Sequence, residues 1–265
     1  MSITFIGAGN VAWHLAPALE NAGHHVVAVY SRQLTHARQL ASLLYDAQPI
    51  TDLNRADNPS DLFILAVPDN ALHEVCARLV LPEGATLVHT SGGQSLAKLR
   101  HLMSIYSDVP VHVGVFYPLQ TFTRGRNLLD FEQIPICIEA DDKAVEAHLV
   151  TMGQAISTIV YLVSSAERRV LHVAAVLACN FGNHLMALAK DITDAEDLEF
   201  DLLKPLIRET VRKALDAEHP ADVQTGPARR HDSQVIDAHL TYLRDKPDVA
   251  RVYEVLSESI ERRHK

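Results

Sequence analysis

The sequence predicts an α/β protein, with a doubly wound parallel sheet in its N-terminal half followed by an all-helical C-terminal half. Three observations carry this reading. Short apolar, β-branched runs alternate with helix-like segments through the first half, a glycine-rich turn joins the first such pair, and no strand-like run recurs beyond residue 164. The boundary is placed there, giving a unit at 1–164 and a second at 165–265. At roughly 150 residues per domain, two domains also suit the length.

Taken in order, residues 3–6 are a short apolar run, 10–22 carry apolar residues at helical spacing, and 25–30 are β-branched and strand-like. Helical spacing returns at 35–45. Residues 62–67 (LFILAV) form a continuous apolar run stopped by Pro68, 70–80 read as a helix, and 86–89 as a further strand. Strands that are apolar throughout, rather than alternating, are covered on both faces, as in parallel sheets wound with helices. Three more strands are expected at 111–115, 134–138 and 158–163, with a helix at 142–156 between the last two. Helical patterns then occupy 166–191, 198–215, 233–244 and 249–263. A polar segment with Pro and Gly, 218–232, interrupts them. Pro17 falls well inside the first helix, where it should kink it or remove a hydrogen bond.

Composition narrows the function classes. An apolar share of 48% with 22% charged residues is that of a folded globular chain, not a disordered one. Cys76, Cys137 and Cys179 lie far apart with no CxxC pair, which predicts buried, reduced thiols and a cytoplasmic location rather than disulfides or a cysteine metal site. Acids outnumber Lys plus Arg by 33 to 24, a net charge of −9 that disfavours nucleic acid or an anionic membrane as partner. No signal peptide is expected at the start, and no apolar stretch of the roughly 18–20 residues that spans a bilayer. The 15 histidines are scattered without HExxH spacing, so no metal site is expected. The partners expected are a small-molecule substrate and a second copy of the chain, met through the helical half.

The chemistry begins at Gly7-Ala8-Gly9-Asn10-Val11-Ala12, a GxGxxA turn between the first strand and the first helix. Gly7 permits the tight turn, Gly9 lets a pyrophosphate approach the backbone, and Ala12 lets helix and strand pack closely. The free N–H groups and the positive helix end then face phosphate. Gly7, Ala8, Gly9, Asn10 and Val11 are therefore expected to bind a dinucleotide. At the end of the second strand an acid would hold the ribose hydroxyls of NAD, but here the chain reads Val29-Tyr30-Ser31-Arg32. Ser31 and Arg32 suit the 2′-phosphate of NADP instead, with His36 and Arg38 as helpers. Ala66, Val67 and Pro68 end a buried strand at the ligand-binding edge, and Asp69 is expected to cap the following helix. At the next strand end, Thr90 and Ser91 in His89-Thr90-Ser91-Gly92-Gly93 are expected to lie beside the nicotinamide ring and bond its amide.

Several of these segments also carry a resemblance. Ala66-Val67-Pro68-Asp69, His89-Thr90-Ser91-Gly92, the run Gly114 to Phe122 (GVFYPLQTF), His172-Val173-Ala174-Ala175-Val176 with Cys179-Asn180-Phe181, and Thr225-Gly226-Pro227 with Arg230 and Asp232 are similar to Rossmann-like oxidoreductases whose C-terminal half is the domain of unknown function 2520. The resemblance covers nearly the whole chain. It implies an architecture like that of pyrroline-5-carboxylate reductase, 3-hydroxyisobutyrate dehydrogenase and 6-phosphogluconate dehydrogenase, an NADP cofactor and no settled substrate. Many such relatives have His-Pro-Leu-Gln where this chain has Tyr117-Pro118-Leu119-Gln120. An acid–base role for that His does not carry over, because a Tyr donates a proton only with a strongly lowered pKa.

In the 3-hydroxyisobutyrate type of enzyme the boundary helix offers Lys and Asn to a substrate oxygen; here the comparable helix has His172 and no Lys at its start. On a regular helix at about 100° per residue, Cys179 and Asn183 fall within about 20° of His172, and Asn180 about 80° away. His172 is expected to serve as general acid and Asn180 to hydrogen-bond the same oxygen. In the turn Thr225-Gly226-Pro227, Arg230 is expected to fork onto a substrate carboxylate, with Asp232 fixing that Arg or capping the next helix, and His239 on the same helix face. The expectation is an NADP-dependent oxidoreductase passing hydride to or from a small carbonyl, imine or hydroxy acid in the cleft between the halves. The alternative is a non-catalytic nucleotide-binding sensor or scaffold.

Overall fold

A computed structural model describes residues 1–125 and 127–265. Its first half runs β1 (Ser2–Ile6), α1 (Asn10–Asn21), β2 (His25–Tyr30), α2 (Leu34–Ala41), β3 (Gln48–Ile50), β4 (Leu62–Leu65), α3 (Leu72–Cys76), β5 (Thr86–His89), α4 (Leu96–Tyr106), β6 (His112–Pro118), β7 (Ile136–Ala140), α5 (Lys143–Gln154) and β8 (Val160–Leu162). The second runs α6 (Ser165–Ala175), α7 (Gly182–Ala195), α8 (Lys204–Asp216), α9 (Ser233–Tyr242) and α10 (Pro247–Arg263).

The strands form one sheet of order β3-β2-β1-β4-β5-β6-β7-β8. All neighbours are parallel except β6 and β7, which run antiparallel. The chain winds outward from β1 in both directions, so a crevice opens at the carboxyl ends of β1 and β4, where α/β sheets bind ligands. Alternate side chains feed two cores. Ile3, Phe5, Leu62 and Ile64 lie in one, and Ile6, Phe63 and Leu65 in the other. Burial on both faces is the reason these strands read as unbroken apolar runs. The strand β3 was not expected: it is three residues long and contains Pro49, which cannot donate to a ladder and is tolerated at this sheet edge. α1 continues through the buried Pro17.

By its contacts the chain divides into two compact units, Met1–Cys179 and Asn180–Lys265. α6 thus belongs with the sheet, although the sequence places a boundary ahead of it. Arg168, on α6, is fully buried. It donates to Glu139 Oε2 on β7 (2.6 Å), to the Gln94 carbonyl (2.7 Å) and to Ser165 Oγ (3.2 Å). Ser165 donates to the same carboxylate at 2.7 Å. Ser164 and Glu167 close a capping box that starts the helix.

Two further expectations are corrected. Cys76 and Cys137 are buried, but Cys179 is exposed, because the helix that carries it presents apolar side chains outward. The 31 residues Ser165–Ala195 are long and apolar enough to cross a membrane by length and composition, since their central part, 170–189, holds no Asp, Glu, Lys or Arg. Val170, Val173, Leu177 and Phe181 in this stretch are all more than half exposed.

In the helical unit, among its described residues, only Ala228, Leu243 and Ser257 are buried. Leu202, Leu206 and Leu215 are 74%, 63% and 80% exposed, an apolar surface that a lone chain leaves uncovered.

Removing one partner of the Arg168–Glu139 pair strands a buried charge. Glu139→Met, which leaves the fully buried Arg168 guanidinium without its carboxylate, is expected to lower the unfolding free energy in urea by about 3–5 kcal/mol, and Arg168→Met with Glu139→Met to recover part of that loss.

Candidate functional site

The glycine turn is fixed by backbone contact. Gly7 has φ +119°, and a Cβ there would stand 2.3 Å from the carbonyl oxygen of Ala66. The amide of Gly7 donates to Tyr30 O (2.9 Å) and that of Ala66 to Ile6 O (2.9 Å), so the ends of β1, β2 and β4 lock together. Gly9 differs. Its φ is −86°, and an added Cβ would meet only the Ala66 carbonyl, at an ordinary 3.8 Å. The protein's own packing does not require a glycine at 9. The bare position faces a cavity, which is the fit a pyrophosphate needs. Gly9 caps α1 without a side-chain bond, leaving the first helical amides free for an anion.

A cavity of about 290 Å³ opens over this turn. Gly7, Ala8, Gly9, Asn10, Ser31, Arg32, Ala66, Val67 and Pro68 line it, as do His36, Arg78 and Arg124. Val11 does not; it packs against the core from α1. Arg38, the other expected helper, is exposed on α2 and lies outside the lining. Arg32 makes no ion pair among the described residues, whereas Arg78 pairs with Glu74 at 3.5 Å. Arg78 and Arg124 escape sequence reasoning because neither belongs to the turn or to the second strand end. Arg124 comes from the loop after β6 and approaches α1 only in the folded chain.

Thr90 and Ser91 also lie outside this cavity. Thr90 is buried and spends its hydroxyl on Leu65 O at 3.3 Å. Ser91 Oγ accepts from the amides of Gly93 (3.1 Å) and Gln94 (3.0 Å), which shapes the loop and leaves its own O–H free to donate. Asp69 does not cap a helix: it opens the short 3₁₀ turn Asp69–Ala71 with no side-chain capping bond. Its Oδ2 lies 3.0 Å from where a Cβ on Gly93 would be. His89 accepts at Nδ1 from the Ser91 amide (3.2 Å), and burial, reinforced by the Arg168 charge, pushes its pKa down to about 4.

Three strands along from β1, about 14 Å at ~4.8 Å per strand, β6 and α6 bring a second group together. Tyr117 Oη and His172 Nδ1 are 3.3 Å apart, with the rings edge to face. Gly92 fits between them: a Cβ there would lie 2.6 Å from His172 Nδ1 and 2.9 Å from Tyr117 Cζ. Burial pushes the Tyr117 pKa up to about 12. The phenol therefore stays protonated and is not an acid; its oxygen can donate to His172 Nδ1 or accept from an Nδ1–H.

The remaining expected residues lie at or beyond the end of α6. Residues Val176–Phe181 form a π-helical turn, so the regular-helix arithmetic that aligned His172 with Cys179 and Asn183 does not apply. Asn180 is exposed in that turn, and Arg230 is exposed in the helical unit. Asp232 caps α9 through Val235 N (3.2 Å), and His239 Nδ1 meets Tyr253 Oη at 2.8 Å. Among the described residues no cluster of His, Cys, Asp or Glu could hold a metal ion.

Comparison with known proteins agrees with this architecture. A Rossmann-like domain model matches residues 1–110, and the model of the domain of unknown function DUF2520 matches residues 134–260. A presumed NADP oxidoreductase of Bacteroides fragilis is 42% identical, with a TM-score of 0.90 over 98% of each chain. Two more distant likenesses concern the fold. The reductive aminase of Aspergillus terreus, solved with NADPH and ethyl levulinate, is 16% identical, with a TM-score of 0.66 over 98% of this chain and 92% of its own. The 1-pyrroline-5-carboxylate reductase of Streptococcus pyogenes is 13% identical, with a TM-score of 0.58 over 98% of each. No curated protein sequence matches the chain.

The two glycines should separate cleanly in thermal and urea unfolding. Gly7→Ala is expected to cost at least about 2 kcal/mol through backbone strain and the clash with Ala66. Gly9→Ala is expected to stay within about 1 kcal/mol of wild type.

Proposed function

The chain belongs to the family of Rossmann-like proteins carrying the domain of unknown function 2520, and from that membership we propose that it is an NADP(H)-dependent oxidoreductase acting on a small carbonyl, imine or hydroxy acid. The observation that carries this reading is Gly9, a glycine the fold does not need, facing the cavity at the start of α1. Gly7, Ala8, Gly9 and Asn10 hold the pyrophosphate, and Arg32 with Ser31 takes the 2′-phosphate, there being no acid at the end of β2 to favour unphosphorylated ribose. The bound nicotinamide supplies or accepts the hydride.

The chain's own part is to bind, orient and manage one proton. His172 gives the Nε2 proton of its imidazolium to the substrate oxygen or nitrogen and is left neutral, its Nδ1–H donating to Tyr117 Oη, while Gly92 keeps the pair in contact. Ser91 retains a free O–H to offer the nicotinamide amide. Asn180 and Arg230, both exposed, orient substrate in the same reading. The apolar surface of the helical unit, Leu202, Leu206 and Leu215 included, is covered by a second copy of the chain in a homodimer.

Calorimetry with NADPH and NADH tests the cofactor assignment. Arg32→Ala is expected to weaken NADPH by about tenfold or more and leave NADH nearly unchanged, the scale of a lost charge-assisted contact. Equal losses would sink the 2′-phosphate assignment.

Turnover is tested by following NADPH absorbance against a panel of keto acids, aldehydes and cyclic imines. Consumption with at least one substrate class is expected, falling by about 100-fold or more in His172→Ala while cofactor binding persists. Binding without consumption across the panel would leave a nucleotide sensor as the better reading.

A further inference from the structure

We propose that Arg124 is a pyrophosphate ligand of the dinucleotide site, delivered by a loop strapped across α1; the inference rests on the proposed function. The loop that follows β6 is tied to α1 at several points. The Arg124 amide donates to Asn10 Oδ1 at 3.3 Å. His14, buried on α1, uses both ring nitrogens on the same loop: Nε2 meets the Thr123 carbonyl at 3.0 Å, and Nδ1 accepts from the Leu129 amide at 3.2 Å. A single neutral tautomer, with the proton on Nε2, satisfies both bonds. The ring of Phe122 lies 5.5 Å from His14 and stacks on Phe131 at 5.9 Å. Ordering this stretch serves no sheet pairing; its result is to bring one guanidinium to the mouth of the glycine turn.

That guanidinium has only neutral company. It lies 5.1 Å over the ring of Trp13, reaches the Ala8 carbonyl at 3.5 Å, and bonds the side-chain oxygen of Gln39 on α2. Among the described residues it makes no ion pair, while Arg78 in the same cavity is matched by Glu74. An arginine held by a backbone carbonyl and an amide oxygen keeps its full charge available. A phosphate oxygen accepts from it in a charge-assisted bond roughly twice as strong as either neutral one. Ala8 and Asn10 belong to the turn that receives the pyrophosphate, so the two phosphates shared by every pyridine dinucleotide are the groups within reach. Arg32, at the end of β2, sits beside the 2′ position. The two arginines thus read different parts of one ligand.

The difference supplies the test. Full-length wild type, Arg124→Gln and Arg124→Lys are titrated calorimetrically with NADPH and with NADH, after unfolding midpoints show that all three are folded. Arg124→Gln is expected to weaken both dinucleotides by about tenfold or more, by the same factor within about twofold, and Arg124→Lys to recover part of the loss because it keeps the charge without the fork. A loss confined to NADPH would overturn the pyrophosphate assignment in favour of the 2′-phosphate. Unchanged affinities in both variants, with wild type binding, would overturn the inference alone. Failure of wild type to bind either dinucleotide would overturn the proposed function and this inference with it.

Discussion

The rest of the structure depends on one close approach of backbone to backbone. Where β1 gives way to α1, residue 7 has φ +119°, and the space a side chain would take is filled by the Ala66 carbonyl at the end of β4. That contact sets how near the central strands and the first helix come. It aims the unpaired amides of α1 into the crevice at which the chain reverses its winding, and it makes Gly9 the next residue in line. Gly7 is required by the protein's own packing, whereas Gly9 is not and faces the cavity.

A second constraint acts at the far side of the same sheet edge. α6 is held by Arg168, whose buried guanidinium bridges Glu139 on β7 and the Gln94 carbonyl. Burying an ion pair is an expensive way to attach a helix, and its return is in geometry rather than net stability. The pair sets α6 one turn before His172, against the loop that carries Gly92 and the strand that ends at Tyr117. Tyr117 does not act as an acid, since burial raises its pKa to about 12. Its oxygen instead meets Nδ1 of His172 on α6 at 3.3 Å.

How much of this was legible depends on the range of the interaction. The strands from 3–6 to 86–89 were readable because burial on both faces leaves unbroken apolar runs. The three-residue β3 was not, because a strand with Pro49 in it has no such signature. The antiparallel turn of β7 leaves no trace in periodicity at all. In the helical half, apolar residues at helical spacing correctly marked helices but not what covers them: Leu202, Leu206 and Leu215 are left exposed by the described residues of their unit. The π-helical turn at Val176–Phe181 likewise follows from no local rule, and it undid the alignment of His172 with Asn183.

By itself the sequence determined the α/β class, the position of the glycine turn and the missing acid at the end of β2, because these are local: each is written in a run of a few residues whose spacing or backbone freedom has one reading. Tertiary structure alone decided that α6 packs with the sheet, that Gly92, Tyr117 and His172 meet, that Thr90 spends its hydroxyl internally, and that Arg124 reaches the turn. Arg124 and Asn10 are 114 residues apart in the chain. No periodicity reaches that far; only the folded sheet, with a loop tied down across its first helix, brings such residues into contact.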